Sequence, residues 1–232
     1  MNTNTTIEKL KASNELPFTN ILSEDVINKH TKDIPYRKRI FSPDVTIFAF
    51  LSQVISADQS CQKTLAQVLT HLVLRGQTAP SANTSAYCKA RSRLPEETLS
   101  GLAKECGEEL DANAKPEWLW RNRHVKMVDG STVSMPDTKA NQLAYPQPDS
   151  QKKGIGFPIA RVVAIISLAV GAVLDFAIGP YAGKGTGEHG LLRQLMHVFK
   201  SDDIVLGDCY YASFFFAGYA DANRSRRCIS NS

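Results

Sequence analysis

Two aspartates follow apolar runs that are typical of β-strands, and each can contribute a carboxylate to a metal site. Asp129 follows residues 124–128, and Asp208 follows residues 203–207. If the two predicted strands are neighbours in one sheet, both carboxylates lie at the same edge and can share a divalent cation. Carboxylate oxygens suit Mg²⁺, and two divalent ions about 3.5–4 Å apart can activate an oxygen nucleophile and stabilise a phosphorane. The pair therefore predicts metal-dependent phosphodiester chemistry.

Each of these residues also has a simpler interpretation. An aspartate at the end of a strand commonly caps the turn that follows it. Asp137 and Asp175 are interpreted as loop and strand-end residues. Lys184 lies among glycines, but the spacing is not that of a phosphate-binding P-loop. The argument for a metal site therefore depends on whether the fold brings Asp129 and Asp208 together.

Composition points to a globular protein without a membrane span. The chain is 43% hydrophobic and 22% charged, which is ordinary for a globular domain. Its five cysteines are odd in number and lack C-x-x-C spacing, so neither a disulfide framework nor a zinc site is expected. The most apolar run, residues 162–174, would span roughly 20 Å as a helix, less than a hydrocarbon core of about 30 Å. Residues 1–16 lack the apolar core of a signal peptide. We expect a cytoplasmic location.

The net charge of +4 is concentrated in short basic clusters. Such clusters suit an anionic polymer, although most basic clusters are simply solvated surface. The candidate nucleic-acid contacts are Lys89, Arg91 and Arg93 in one cluster and Arg121 and Arg123 in another, the latter extended by Lys126.

The first half of the chain reads as helical. Ser42-Pro43-Asp44 predicts a helix start, and apolar residues follow it at helical spacing as far as Ile55. Further helices are predicted over about 65–73, 84–94 and 95–110. The short helix 84–94 carries the first basic cluster, so the group can form a DNA reader of the helix-turn-helix kind. The alternative is a plain helical bundle whose charged face meets water.

From residue 124 the period changes to that of strands. Residues 125–133, 159–169 and 173–178 read as strands, the last two joined by a turn at Gly171. Residues 136–156 read as a long loop. A helix over 191–199, one more strand over 204–206 and a helix over 213–222 follow. The order β-β-β-α-β is that of an antiparallel set followed by a crossover to a parallel strand, which would make the first and fourth strands neighbours.

Several motifs resemble bacterial DDE-type insertion-sequence transposases, of the subgroup named after insertion sequence four. The motifs are residues 87–95, 128–138, 151–161, 183–189 and 206–211, and the resemblance runs from about Tyr36 to Phe216. It implies a ribonuclease-H-like core with Asp129 and Asp208 as the first two catalytic acids. It also implies Mg²⁺ or Mn²⁺ as cofactor and the element's terminal repeats and target DNA as partners.

The resemblance also gives an expected organisation of the chain, which is an α+β protein. We predict a flexible segment at 1–35, a helical DNA-binding domain at 36–120, an incomplete ribonuclease-H-like core at 121–217 and a divergent polar tail at 218–232. These transposases carry a third acid in a Tyr-Arg-Glu-Lys signature, which this sequence lacks after Asp208. Glu188, at the start of a predicted helix, is a candidate accessory acid, although an acid also stabilises a helix start by itself.

Three functions follow as expectations. The first is a transposase, truncated before the third acid, that binds metal weakly, is inactive in transposition and leaves a sheet edge exposed. The second is a DNA-binding fragment that inhibits transposition by full-length copies, as a homodimer or paired with them. The third is a remnant without a function. The expected location is the bacterial cytoplasm, in association with the nucleoid.

Overall fold

The computed structural model describes residues 22–36, 40–74, 76, 81–152, 154–183, 185–208, 211 and, for the backbone alone, 228–230. The chain divides after Leu102 into two compact units. We call residues 1–102 the helical unit and residues 103–232 the sheet unit. The division falls inside one helix, residues 96–112.

The helical unit is built from short amphipathic helices. They are α1 (Glu24–Thr31), α2 (Pro43–Ile55), α3 (Cys61–Leu74), α4 (Ser85–Arg91) and the first turns of α5 (Glu96–Ala112). The start of α2 at Pro43 is as predicted, because proline fits the first helical position. Its first half is buried through Ile47 and Phe48, whereas Val54 and Ile55 are exposed. The predicted apolar face of α2 therefore fits only its first turns.

Helix α1 lies at the end of the segment 1–35 that the sequence predicted to be flexible, and residues 1–21 of that segment lie outside the described residues. Ser23 caps this helix through its side-chain oxygen, which accepts a hydrogen bond from the Val26 amide. Ile27 is 1% exposed. The sequence did not predict this helix because eight mostly polar residues show little helical periodicity. Burial of Ile27 in the packed unit stabilises the helix despite its weak intrinsic propensity.

The sheet unit contains one mixed sheet. Its strands are β1 (Val125–Ser134), β2 (Ile159–Ser167), β3 (Val173–Pro180), β4 (Ile204–Gly207) and β5 (Cys228–Ser230), and its helices after α5 are α6 (Lys139–Ala144) and α7 (Glu188–Gln194). Short 3-10 turns cover Pro116–Trp118 and Met196–Val198. The strand order is β3-β2-β1-β4-β5. Strands β1, β2 and β3 are antiparallel neighbours, whereas β4 runs parallel to β1 and β5 runs parallel to β4.

One face of this sheet carries the core. Val128 of β1, Ile165 of β2 and Val205 of β4 lie on that face and pack with Leu191 and Leu195, which belong to α7 and the turn after it. Met127 and Ala164, one position along their strands, point to the opposite face and are half-buried. The mixed helix-and-strand class predicted from the sequence is confirmed.

Two details differ from the prediction. The predicted loop 136–156 contains α6, which Thr138 caps by accepting a hydrogen bond from the Asn141 amide. Part of the predicted polar tail forms β5, which pairs with β4 and is the outer strand on that side of the sheet. Three residues are too few for a periodic signal, so β5 could not be predicted. The predicted helix over 213–222 lies outside the described residues.

Among the described residues, no helix combines the length and apolarity needed to cross a membrane.

Candidate metal site at the edge of the sheet

The pairing of β1 with β4 brings the two aspartates to neighbouring positions. Val125 pairs with Ile204 and Met127 with Leu206 in parallel register, a constant offset of 79 positions. Asp129 and Asp208 differ by the same 79 positions, so Asp208 follows β4 at the level of Asp129. Both side chains are exposed. The first and fourth strands are therefore parallel neighbours, as the sequence argument required, although Asp129 lies within β1 rather than at its end.

A buried ion pair holds β4 in this register. Lys126 of β1 is 2% exposed, and its Nζ lies 2.6 Å from Oδ2 of Asp203, which is 4% exposed and precedes β4. The same Nζ donates a hydrogen bond of 2.7 Å to the Val198 carbonyl, and the Lys200 amide donates one of 2.7 Å to Asp203 Oδ2. A slip of one residue would turn Asp208 to the other face, and it would also break these contacts.

Lys126 corrects part of the predicted basic cluster. The sequence placed it beside Arg121 and Arg123 as a surface cation, whereas its ammonium group is buried against Asp203. The alternation of the strand explains this, because Lys126 shares a face with the core residue Val128. A lysine in an apolar run was thus a sign of a buried partner, not of a surface patch.

A third acid lies beside this pair but approaches from the core face. Glu188 is the first residue of α7, as predicted. A Cβ on Gly130 would lie 2.6 Å from both the Glu188 carboxyl carbon and the Tyr211 hydroxyl. Gly130 is therefore where the strand leaves room for these two groups. Because Asp129 and Gly130 point to opposite faces of β1, Glu188 is separated from Asp129 by the strand itself.

Tyr211 links the three acids electrostatically. Its hydroxyl donates a hydrogen bond of 2.9 Å to Glu188 Oε2. Burial raises the pKa of Tyr211, and the hydrogen bond to Glu188 and the negative charges of Glu188, Asp208 and Asp129 raise it further. A hydroxyl in this setting stays protonated and acts as a donor. Tyr211 was not singled out from the sequence, although it lies only three residues after Asp208.

The acids do not form a three-ligand cage. Within the part of the chain that the structure describes, no group of three or more Asp, Glu, His or Cys side chains is close enough to hold a metal ion. Two exposed carboxylates in neighbouring strand positions still suit Mg²⁺, which keeps several waters and needs few protein ligands.

The predicted DNA contacts of the helical unit divide into two kinds. Lys89 and Arg93 are exposed. Arg91 is half-buried, and its Nη1 donates a hydrogen bond of 2.8 Å to Gln53 Oε1, which also accepts one of 2.7 Å from the Tyr87 hydroxyl. The Arg91 guanidinium lies 5.9 Å from the centre of the Phe50 ring. Arg91 thus also stabilises the helical unit, and Lys89 and Arg93 are the exposed cations of the predicted cluster.

The second basic cluster divides in the same way. Arg123 donates hydrogen bonds to the carbonyls of Asp202, at 2.7 Å, and Asp203, at 3.2 Å. It therefore ties the chain before β1 to the chain before β4. Arg121 is exposed, with its guanidinium 4.7 Å from the centre of the Trp120 ring.

Asp137 and Asp175 are placed differently from each other. Asp137 is exposed in the loop after β1, as predicted, and accepts a hydrogen bond from Gln142. Asp175 lies within β3 and is 2% exposed, with an ion pair to Lys104 at 3.0 Å and with its Oδ2 3.1 Å from Nε2 of His197. Its role is therefore structural. Lys184 lies outside the described residues.

Comparison of the sequence with known proteins does not assign the chain to a family. The sequence matches no protein-family model and no curated protein. The function of this chain is therefore inferred from Asp129, Asp208 and the residues around them.

Proposed function

We propose that this chain carries the core of a bacterial DDE-type insertion-sequence transposase with a ribonuclease-H-like fold. The observation that supports the proposal is the parallel pairing of β1 with β4 at a constant offset of 79 positions, which is also the offset between Asp129 and Asp208. The sheet order and strand directions support the fold, since a ribonuclease-H-like core needs three antiparallel strands followed by a parallel one beside the first.

In this proposal Asp129 and Asp208 bind Mg²⁺ or Mn²⁺ between them. Such a cation supplies charge neutralisation and a more acidic bound water for phosphodiester cleavage. The two carboxylates are held at a fixed spacing by the β1–β4 register, which Lys126 and Asp203 maintain from the buried face. Rigid placement of ligands on strands favours a site that needs little reorganisation.

Glu188 is the accessory acid of the proposal, acting through Tyr211 rather than as a third ligand on the same face. It accepts a hydrogen bond from the Tyr211 hydroxyl, whose pKa the charges of Asp208 and Asp129 also raise. Because only two carboxylates share a face, we expect weak metal binding, slow single-strand cleavage and no complete transposition.

The test is cleavage of DNA that flanks this gene, incubated with the full chain and Mn²⁺. We expect slow nicking that Asp129→Asn and Asp208→Asn abolish. Asp202→Asn is the matched control, because Asp202 is an exposed aspartate at the other end of β4. The proposal would be contradicted if the Asp129 variant still nicked the DNA, or if the unaltered chain did not nick it.

A DNA-binding role without catalysis is the second candidate, with inhibition of full-length copies as its consequence. The exposed positions of Lys89 on α4 and of Arg93 in the turn after it favour it, because this unit carries neither of the two acids. Replacing both residues with alanine should weaken binding to any DNA sequence and lower the salt slope by about two. Mobility-shift titrations across salt measure this, with Lys32→Ala/Lys63→Ala as a control of equal charge. If the two double variants behave alike, α4 is structural.

A further inference from the structure

We propose that Trp118 and Trp120, just before β1, form a surface that stacks unpaired bases of single-stranded DNA. The inference rests on the proposed role in DNA processing and specifies a contact for it. The surface lies at the end of the sheet where β1 and β4 begin, whereas Asp208 follows the end of β4. Roughly 15–20 Å of strand separates it from the acids at about 3.3 Å per residue.

Both indole rings face solvent. Trp118 is 49% exposed and Trp120 is 44% exposed, whereas Leu119 between them is half-buried. Leu119 has extended dihedrals, φ −87° and ψ 142°, and side chains on either side of an extended residue point the same way. The two tryptophans therefore belong to one surface. Tryptophan is costly to expose without a partner, since its ring carries a large apolar area.

A cation accompanies each ring. Lys115 Nζ lies 5.1 Å from the centre of the Trp118 ring, and the Arg121 guanidinium lies 4.7 Å from the centre of the Trp120 ring. Alternating aromatic rings and cations are what a single strand requires, because bases stack on the rings while phosphates meet the cations. Two exposed acids lie near these cations: Glu117 in the same segment, and Asp202, whose carbonyl accepts a hydrogen bond from Arg123. The segment 115–123 nevertheless has a net charge of +2.

The backbone presents this surface rigidly. Trp120 and Arg123 exchange two backbone hydrogen bonds of 3.0 and 3.1 Å, which close a two-residue turn. Arg121 and Asn122 in that turn have φ of 51° and 60°. This is the conformation of a tight hairpin turn, in which a non-glycine residue such as arginine is strained. Arg123 then anchors the turn to the carbonyls of Asp202 and Asp203. An arginine kept at a strained position, with its guanidinium against an exposed ring, is consistent with a binding role.

Single-stranded DNA fits better than duplex. A duplex keeps the faces of its bases within the stack, whereas a single strand offers them to aromatic side chains. A protein partner would bury the rings in an apolar contact, which the flanking lysine and arginines favour less than they favour a polyanion.

The chain has only two tryptophans, so its intrinsic tryptophan fluorescence reports this surface alone. The experiment titrates the full chain with oligo(dT), without divalent cations, and follows quenching at several salt concentrations. We expect saturable quenching that is weaker for a duplex of the same length. Trp118→Ala and Trp120→Ala should each lower the affinity at least fivefold, measured by fluorescence anisotropy of labelled oligo(dT). Trp120→Phe should retain most of it, because a phenyl ring still stacks.

Two controls separate this proposal from the one on catalysis. Leu143→Ala removes an exposed apolar side chain elsewhere in the sheet unit and should leave binding unchanged. Adding EDTA should also leave binding unchanged, since stacking needs no metal. If oligo(dT) neither quenches the fluorescence nor binds, or binds equally well to the alanine variants, the surface proposal is wrong whatever the cleavage assay shows. Equal binding of duplex and single strand would also overturn it.

Discussion

Replacing Lys126 with methionine is expected to lower the free energy of unfolding of the sheet unit by about 3–5 kcal/mol. Methionine fills the space of the lysine stem, but the Asp203 carboxylate stays buried with the Lys200 amide as its remaining donor. Removing one partner of a buried ion pair has about this cost, because the other charge is left without compensation. For a chain of this length the melting temperature should fall by roughly 6–20 °C.

The assay is urea denaturation followed by tryptophan fluorescence, since both tryptophans lie in the sheet unit. Lys139→Met, which removes an exposed lysine at the start of α6, is the matched control. In the double variant Lys126→Met/Asp203→Asn the losses should not add, with a coupling of about 1–3 kcal/mol. A loss below about 1 kcal/mol for Lys126→Met, or additive effects in the double variant, would refute the role given to this pair.

Two further predictions concern packing and pH. Gly107→Ala should destabilise the sheet unit by about 1–3 kcal/mol in the same assay, because the new methyl group would overlap the Val173 carbonyl. Gly101→Ala in the same helix meets only the movable His30 imidazole and should cost less. Burial raises the pKa of Tyr87 to about 12, so the folded state keeps a proton that the unfolded state loses near pH 10. Stability should therefore fall by about 2–3 kcal/mol between pH 10 and 12, and Tyr87→Phe should remove that part of the loss in circular dichroism melts.

The parts of the fold that the sequence predicted are those with strong local signals. Two β-branched runs on either side of Gly171 predicted the β2–β3 hairpin, and Pro43 predicted the start of α2. The nearness of Asp129 and Asp208 could also be predicted, because a crossover through one helix makes the first and fourth strands parallel neighbours. The identity of the family stays a prediction.

What could not be predicted depends on contacts between distant residues. The burial of Lys126 requires Asp203, 77 positions away, and that of Arg91 requires Gln53, 38 positions away. Each cation looked like surface charge until its partner was known. The position of Glu188 on the core face is a similar case, since it depends on the lack of a side chain at Gly130. Strand β5 and helix α1 are too short to give a periodic pattern, and tertiary packing decides them.

The central claim is that Asp129 and Asp208 form one metal site, and Mn²⁺ binding tests it most directly. Free Mn²⁺ is measured by electron paramagnetic resonance while the full chain is titrated at constant ionic strength. We predict one weak site whose affinity falls at least about tenfold in both Asp129→Asn and Asp208→Asn and is unchanged in Asp202→Asn. Equal Mn²⁺ affinity in the unaltered chain and the Asp129 variant, or the lack of any binding, would contradict the account.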